Sequence, residues 1–368
     1  MMPRRGRGPI AWLLVATAVL APAGHTAQDV HCRQSPRSRL SEAPPDAAPR
    51  PLAAPLRTAL PAPGGRRDAW LYLAATGADA APTRLVAVDP RSGALLWSAA
   101  VPESAALAAP GQPAPALLRD HRELARRAYL GDAAGNLWRI DFPDGGGAGA
   151  PRFIRVADLV GLAAPGGSVA IDVTPDVFRA LDSEGHAYDG VVVAVSVRAA
   201  GRQRIDLVLL RDYVSGGHER PRAATTVSDL TRIDDCRLPS RPCAVGRGPG
   251  WYRQDVLAGD RPLAAPLVDG GRVFLGAYDS AALDCDALTA PLFATVIDLR
   301  SGESQLDDER FLALGQQPLA GPAVVGDRVM LPGLLRAVRE RGLAPDLLRA
   351  RGLGVRRLYR RDLLLDAE

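Results

Sequence analysis

The stretch "PLAAPLVDGGRVFL", Pro262–Leu275, returns 56 residues later as "PLAGPAVVGDRVML", Pro318–Leu331. The two segments share a proline-bracketed opening, a turn glycine and a short apolar run. Aligned over fifteen positions, they are identical at nine. A shorter copy, "PLAAP", begins at Pro51. Recurrence of one short unit at such a distance is typical of repeat proteins.

A second repeated unit accompanies the first. "LVAVDPRSGALLW", Leu85–Trp97, matches "ATVIDLRSGESQL", Ala294–Leu306, and "NLWRIDFPDGG" from Asn136 is a looser third copy. Each copy reads as an apolar strand closing on Asp, a turn containing Gly and a returning strand. An Asp before a turn accepts hydrogen bonds from the turn backbone. This predicts a structural role for the residues that close the three strands, Asp89, Asp141 and Asp298.

Joined in order, the two units give four antiparallel strands, which is one blade of a propeller. The sequence therefore predicts an all-β fold, a β-propeller of four-stranded antiparallel blades. At about 40–45 residues per blade, the 318 residues after Arg50 (368 − 50) allow seven blades. The 56-residue spacing favours five or six, and hence a shortened ring. Only the stretches from Leu117 and from Gly333 have a helical pattern.

The N-terminus has the pattern of an export signal. Arg4, Arg5 and Arg7 precede a short apolar run, Ile10–Leu20, and small residues follow. This order predicts a secretory signal peptide over residues 1–27, cleaved after position 23 or 27. The run is shorter than the roughly 20 apolar residues of a membrane span. We expect a flexible Pro/Ala-rich leader over 28–50 and the propeller over 51–368.

Cysteine use and charge narrow the class of protein further. Four cysteines suit an oxidising compartment. Cys236 and Cys243 are candidates for a local disulfide, which leaves Cys32 and Cys285, and three pairings are possible. All 45 residues counted as Lys+Arg are Arg, and the net charge is only +4. This indicates a compositional bias rather than a surface for nucleic acid.

The stretch "AYLGDAAGNLWRIDF", Ala128–Phe142, resembles a blade of one family. It is similar to the signature Tyr-x-Gly-Asp-x-x-Gly-Asn-Leu-Trp-Arg-Phe-Asp in the C-terminal propeller of type IV pilus biogenesis factors and tip-associated adhesins, the neisserial PilC and PilY type. Stretches from Thr174, Thr226 and Gly250 resemble further parts of that propeller in the same order. The signature positions, taken as structural, fall on Tyr129, Gly131, Asp132, Gly135, Asn136, Leu137, Trp138, Arg139 and Asp141.

The resemblance implies a non-catalytic, exported propeller that acts in type IV pilus assembly or pilus-tip display. Its partners would be pilus or minor pilin proteins, and its location the periplasm, the outer cell surface or the pilus tip. Only a short leader precedes the propeller, so cell adhesion through a large N-terminal region does not transfer. Where the family has Gly-Ser-Gly-Asp-Arg, this chain has Ala194–Arg198, in which the Asp is absent.

The resemblance also leads to a prediction about calcium binding. The ligand positions of the family's calcium loop fall here on Leu118, Asp120, Arg122 and Arg126. Calcium takes six to eight oxygen ligands, whereas one of these residues is a carboxylate and two are cations. We therefore predict that the loop binds no calcium and that the chain uses no cofactor. Asp120 then becomes a surface residue or a helix cap.

Two other readings remain open. "VDPRSGALLW" also resembles quinoprotein alcohol dehydrogenases, which would make the chain a periplasmic quinone-dependent oxidoreductase. The missing calcium loop and adhesive region instead fit a degenerate remnant of a longer adhesin. No cluster of convergent catalytic groups supports the enzyme, and Ser215 lacks a nucleophile context.

We interpret the scattered histidines as loop residues: His121, His186 and His218. We expect three tryptophans to pack between blades at equivalent strand ends: Trp97, Trp138 and Trp251.

The arginine-rich tail has two readings. In the first, Leu334, Leu335 and Val338 lie on one face of an amphipathic helix that would bind a partner protein. The stretch "VRRLYRRDLLL" from Val355 is instead consistent with a last strand that closes the ring. Ring closure removes exposed strand edges, and we favour it.

The calcium interpretation predicts a null result in solution. Isothermal titration of the purified chain with calcium chloride should show no site of micromolar affinity, because Arg122 and Arg126 repel a divalent cation. A one-to-one micromolar site would contradict the alignment of the calcium loop to residues 118–126.

Overall fold

In the computed structural model, the described residues are 50–52, 55–62, 65–75, 83–102, 104–107, 113–120, 122–143, 150–182, 184–199, 201–213, 223–234, 248–306 and 309–350. The signal peptide, nearly all of the leader and the tail beyond Ala350 lie outside these ranges. So do Cys32, Cys236, Cys243, His121, His218 and Ser215. No helix within the described residues is long and apolar enough to cross a bilayer.

Four mainly antiparallel sheets follow one another along the chain, and we number them as blades 1 to 4. Blade 1 contains β1 (Arg50–Pro51), β2 (Leu56–Ala62), β3 (Gly65–Ala75), β4 (Arg84–Val88) and β5 (Leu95–Ala100). Blade 2 contains β6 (Ala116–Arg119), β7 (Ala125–Gly131), β8 (Asn136–Asp141), β9 (Arg152–Asp158) and β14 (Thr225–Thr226). Blade 3 contains β10 (Ser168–Ala170), β11 (Asp176–Leu181), β12 (Ala187–Ala199), β13 (Arg202–Asp212), β15 (Thr231–Arg232) and β16 (Gly250–Leu257). Blade 4 contains β17 (Arg261–Pro262), β18 (Leu267–Asp269), β19 (Arg272–Tyr278), β20 (Thr289–Asp298) and β21 (Leu312–Pro318).

A fifth sheet, blade 5, has two strands within the described residues, β22 (Ala323–Val325) and β23 (Arg328–Met330). Helix α1 (Leu334–Glu340) and a 3-10 helix (Pro345–Leu348) follow. Arg349 then forms one antiparallel bridge with Arg328 at the outer edge of β23. Short 3-10 helices also occur at Val160–Leu162, Val227–Asp229 and Ser280–Ala282.

The blades pack face to face, which is the arrangement of a β-propeller. Blade 3 shows how the sequence achieves this, because both faces of β12 are apolar. Val191, Val193 and Val195 pack against blade 2, whereas Val192 and Ala194 pack against blade 4. Two more apolar layers join blade 1 to blade 2 and blade 4 to blade 5. In the described residues the ring is not closed, since blades 1 and 5 share no strand pairing.

The first repeat marks a break in the innermost strand of a blade. In blade 4, β17 and β18 both pair with the same strand, β19, on either side of the segment between them. The N–H of Leu263 donates to Gly276 O at 2.9 Å, and the N–H of Leu52 makes the matching bond to Leu73 O at 2.8 Å. Pro266 suits the break because it has no N–H to donate to a ladder. The equivalent hairpin in blade 5 is β22–β23.

The second repeat gives the turn after the third strand of blades 1 and 4. The Oδ1 of Asp89 accepts the backbone N–H groups of Arg91 and Ser92. The Oδ1 of Asp298 accepts those of Arg300 and Ser301 in the same way. The predicted structural role of these two aspartates is confirmed.

Two local expectations had different outcomes. The helix predicted from Gly333 is present as α1, with Leu334 and Val338 buried. The helix predicted from Leu117 is wrong, because this stretch forms strands β6 and β7, which a tight turn connects. Leu124 in the turn bridges Ala59 of blade 1, and this tertiary pairing replaces the local preference. Cys285, in the loop before β20, is disulfide-bonded.

The two equivalent turns provide a matched pair of glycines. Gly93 and Gly302 have φ values of 70° and 71°, so an added Cβ strains both. At Gly302 the Cβ would also lie 1.9 Å from Cδ1 of the buried Ile233, whereas nothing lies within 4 Å at Gly93. We expect Gly93→Ala to lower the free energy of unfolding by about 1–2 kcal/mol. Gly302→Ala should cost roughly 1–3 kcal/mol more because it overpacks the core. Urea unfolding measures both; equal losses would contradict this contact between blades 3 and 4.

Candidate functional site

The most concentrated set of charged side chains lies at the seam between blades 2 and 3. Arg127 on β7 donates from Nη1 to Asp189 Oδ2 on β12 at 2.7 Å. Arg139 on β8 donates from Nη1 to both carboxylate oxygens of Asp212 on β13, at 3.0 and 2.9 Å. The side chains of Asp189 and Arg139 are only 1% and 5% exposed. Two charge-assisted contacts therefore cross the seam where little water reaches them.

Tyr129 connects the two pairs. Its hydroxyl lies 3.0 Å from Asp189 Oδ2 and 2.9 Å from Asp212 Oδ2. A phenol has one proton, so it donates to one carboxylate at a time. Burial raises the pKa of Tyr129 well above its usual value, which keeps the hydroxyl a neutral donor. Burial also raises the pKa of Asp212, against the opposing effect of Arg139.

Two further groups complete this cluster, which we call the seam network. Asp141 Oδ1 lies 3.3 Å from Arg127 Nε and 3.0 Å from Arg139 Nε. Arg179 Nε lies 3.3 Å from Asp189 Oδ1. Asp141 thus differs from Asp89 and Asp298, because its carboxylate faces arginines of its own blade. The seam network has three arginines and three aspartates, and this balance of charge makes it a structural lock rather than a receptor for an ion.

The remaining polar residues of the predicted signature surround Asp132, whose side chain is fully buried. Its carboxylate accepts hydrogen bonds from the backbone of Ala134, from both the backbone and side chain of Asn136, and from Trp138 Nε1 at 2.9 Å. It also accepts the N–H of Ala106, in the connection from blade 1, at 3.4 Å. The carboxylate therefore fixes the turn between β7 and β8 and ties it to the preceding blade.

The two signature positions Gly131 and Gly135 need glycine because neighbouring side chains leave no room for a Cβ atom. A Cβ on Gly131 would lie 2.1 Å from Ile171 Cγ2. Gly135 has a φ of 77°, and its Cβ would lie 2.8 Å from Val169 Cγ1. Leu137 is fully buried in the same apolar layer between blades 2 and 3. All nine signature residues thus serve packing or bonding within and between blades.

The positions aligned with the calcium loop extend from strand β6 through the following turn into the start of β7. Asp120 Oδ1 accepts the N–H groups of Arg122 and Leu124, and Oδ2 accepts Arg126 Nε at 2.8 Å. Burial opposes ionisation, but these hydrogen bonds lower the pKa of Asp120. Asp120 is therefore a turn anchor rather than a solvated residue or a helix cap. Leu118 is buried on β6 and offers no ligand. Within the described ranges, no group of three His, Cys, Asp or Glu side chains is placed to hold a metal.

The other residues singled out in the sequence pack or face solvent. Trp138 and Trp251 are buried, and Trp97 lies 6.2 Å from the ring of Phe142. Packing between blades is confirmed for Trp97 and Trp251, which lie on fourth strands and contact the apolar layers between blades. The expected equivalence is wrong for Trp138, which lies on the third strand of its blade and donates its indole N–H to Asp132. His186 is an exposed loop residue beside Asp182. Arg198 is exposed at the end of β12, where it donates to Gln203.

Sequence reasoning did not find the blade 3 half of the seam network. Asp189 and Asp212 are directly paired on neighbouring strands, yet they lie 23 residues apart in the sequence (212 − 189). The only available signal was an Asp at one end of each of two long apolar strands. Nothing local indicates that both face arginines of another blade.

Comparison with known proteins finds similarity among solved structures. No family model and no curated protein matches the sequence. The chain is similar to the C-terminal domain of PilY1 from Pseudomonas aeruginosa, with 18% identity and a TM-score of 0.48 over 67% of this chain and 59% of that one. It is also similar to BamB from Moraxella catarrhalis, with 16% identity and a TM-score of 0.31 over 71% of this chain and 54% of that one.

The PilY1 domain is of the type that the sequence motifs resemble. The chain spans about 59% of that domain's length. At these identities and TM-scores, the assignment of the fold rests on the blades described above.

The seam network predicts a large cost for losing one partner. Arg139→Leu leaves the largely buried carboxylate of Asp212 without a guanidinium, and we expect the free energy of unfolding to fall by about 3–5 kcal/mol. Arg155→Leu is the control, since Arg155 is 46% exposed and lies 3.6 Å from Asp158. That exposed pair should contribute at most about 1 kcal/mol. Denaturant unfolding separates the two variants, and equal losses would show that the seam does not depend on the ion pairs.

Proposed function

We propose that this chain is a non-catalytic, exported β-propeller scaffold that acts in type IV pilus assembly or pilus-tip display through protein–protein contacts. The observation that carries the proposal is the signature stretch Ala128–Phe142. Its residues match the pilus-factor pattern nearly position by position, and the nine signature residues pack or form bonds within and between blades. A family-specific pattern retained at this level of detail supports a function of the same kind.

The chemistry of the described residues also supports binding rather than catalysis. A catalytic site needs convergent acid, base or nucleophilic groups with access to substrate. The seam network is the densest set of ionisable side chains described, and its groups are paired with one another and largely buried. This arrangement stabilises a scaffold and leaves the blade loops to contact a partner.

The proposed location outside the cytoplasm rests on two features of the chain. The segment 1–27 has the order of charge, apolar run and small residues of a signal peptide. The disulfide at Cys285 suits an oxidising compartment. The proposed partners are pilus or minor pilin proteins, with no role for nucleic acid.

The test is deletion of the gene, followed by a count of surface pili and a twitching-motility assay. We expect loss of pili or motility, restored by the intact chain. A matched variant without residues 1–27 should not restore either, because the scaffold would remain in the cytoplasm. Normal pili and motility in the deletion strain would overturn the proposal. Stoichiometric uptake of pyrroloquinoline quinone by the purified chain, followed by absorbance, would instead favour the oxidoreductase.

A further inference from the structure

Blade 5 leaves one face of its hairpin uncovered. Ala323 pairs with Met330 and Val325 with Arg328, so these four side chains share one face of the β22–β23 sheet. All four are exposed, with Val325 at 62% and Met330 at 39%. We call this set the open face.

The opposite face is covered in part. Val329 is fully buried in the apolar layer that joins blade 5 to blade 4, whereas its pair Val324 is 43% exposed. In a propeller both faces of a blade normally pack against neighbours. The open face is therefore the side on which a further layer of apolar side chains would pack.

A cavity of about 650 Å³ continues the open face towards α1. Its floor contains Ala323, Met330 and Leu335, and its wall contains Arg336, Arg339 and Glu340. Arg336 and Glu340 are within ion-pair distance of each other, at 3.6 Å. The cavity thus combines an apolar floor with a wall that has two arginines and one glutamate. This volume lies within the range of about 300–1,000 Å³ for ligand pockets, so it admits several aliphatic side chains.

The chain leaves the described residues close to this cavity. The N–H of Ala350 donates to Asp327 O at 2.7 Å, at the turn of the same hairpin. From Asp327 to Met330 the strand advances three residues, or about 10 Å. The twelve residues 351–362 can span roughly 40 Å, and Gly352 and Gly354 permit a change of direction. The cavity is therefore well within reach of the last six residues of the chain.

The segment "LLLDAE", Leu363–Glu368, has the chemistry that the cavity requires. Three successive leucines suit the apolar floor. Asp366 and Glu368 follow them and can meet the two arginines of the wall. The preceding Arg361 can meet Glu340 in the same way.

We propose that Leu363–Glu368 of the same molecule docks on the open face of blade 5. The leucines fill the cavity beside Met330 and Leu335, and the acidic residues pair with Arg336 and Arg339. The segment then covers the apolar end of the blade array, which would otherwise be a site of aggregation. This inference does not depend on a role in pili.

Photo-crosslinking tests the proposal directly in the full mature chain. With p-benzoylphenylalanine at position 330, irradiation should give a product of monomer mass, and mass spectrometry should place the link within residues 363–368. The probe at position 160 is the control, because Val160 is 57% exposed but lies in the connection after blade 2. That control should give no link to residues 363–368.

The tail sequence provides a second, matched comparison. Leu364→Ser in the position-330 probe protein should reduce the link roughly tenfold, because it removes an aliphatic side chain from the cavity. Leu358→Ser, outside the docking segment, should leave the yield unchanged. A product of dimer mass would assign the open face to a second copy. That result, a link to another part of the chain, or no link to residues 363–368, would overturn the proposal.

Discussion

The buried contacts between Arg127 and Asp189, and between Arg139 and Asp212, set the relation of blade 2 to blade 3. Apolar layers between sheets tolerate small shifts, but a buried charge that loses its partner is costly. Register is consequently restricted along the whole seam, since a displacement of one residue would turn these side chains to the other face of a strand. Tyr129 lies between the two aspartates and restricts the seam further. Blades 1 and 4 then pack against the outer faces of this central pair, mainly through apolar layers.

Polar anchoring recurs in the turns as well as at the seam. Asp132 and Asp182 each begin a turn in which a carboxylate accepts the N–H groups two and four residues ahead. Asp132 is buried and additionally bonds Trp138 and the blade 1 connection, whereas Asp182 serves an exposed loop. One local motif therefore has two uses, and its position in the blade array decides which one applies.

The sequence predicted the propeller because its evidence is local and repeated. Each repeated motif can be recognised within a stretch of about fifteen residues. This holds for the turns at Asp89 and Asp298 and for the hairpins after Pro262 and Pro318. The helical pattern from Leu117 misled because pairing of Leu124 with blade 1 outweighs a helical preference. The seam network could not be found in this way. Arg127 and Asp189 are 62 residues apart, and only the packing of two blades brings them together.

A double-mutant cycle on Arg127 and Asp189 tests the central claim most directly, namely that the seam network holds blades 2 and 3 together. The free energy of unfolding is measured for the parent chain, Arg127→Met, Asp189→Asn and the double variant. Residues in direct buried contact couple by about 0.5–3 kcal/mol, and we expect a value in the upper half of that range. Additive losses would show that the two side chains act independently, and would contradict a lock at the seam.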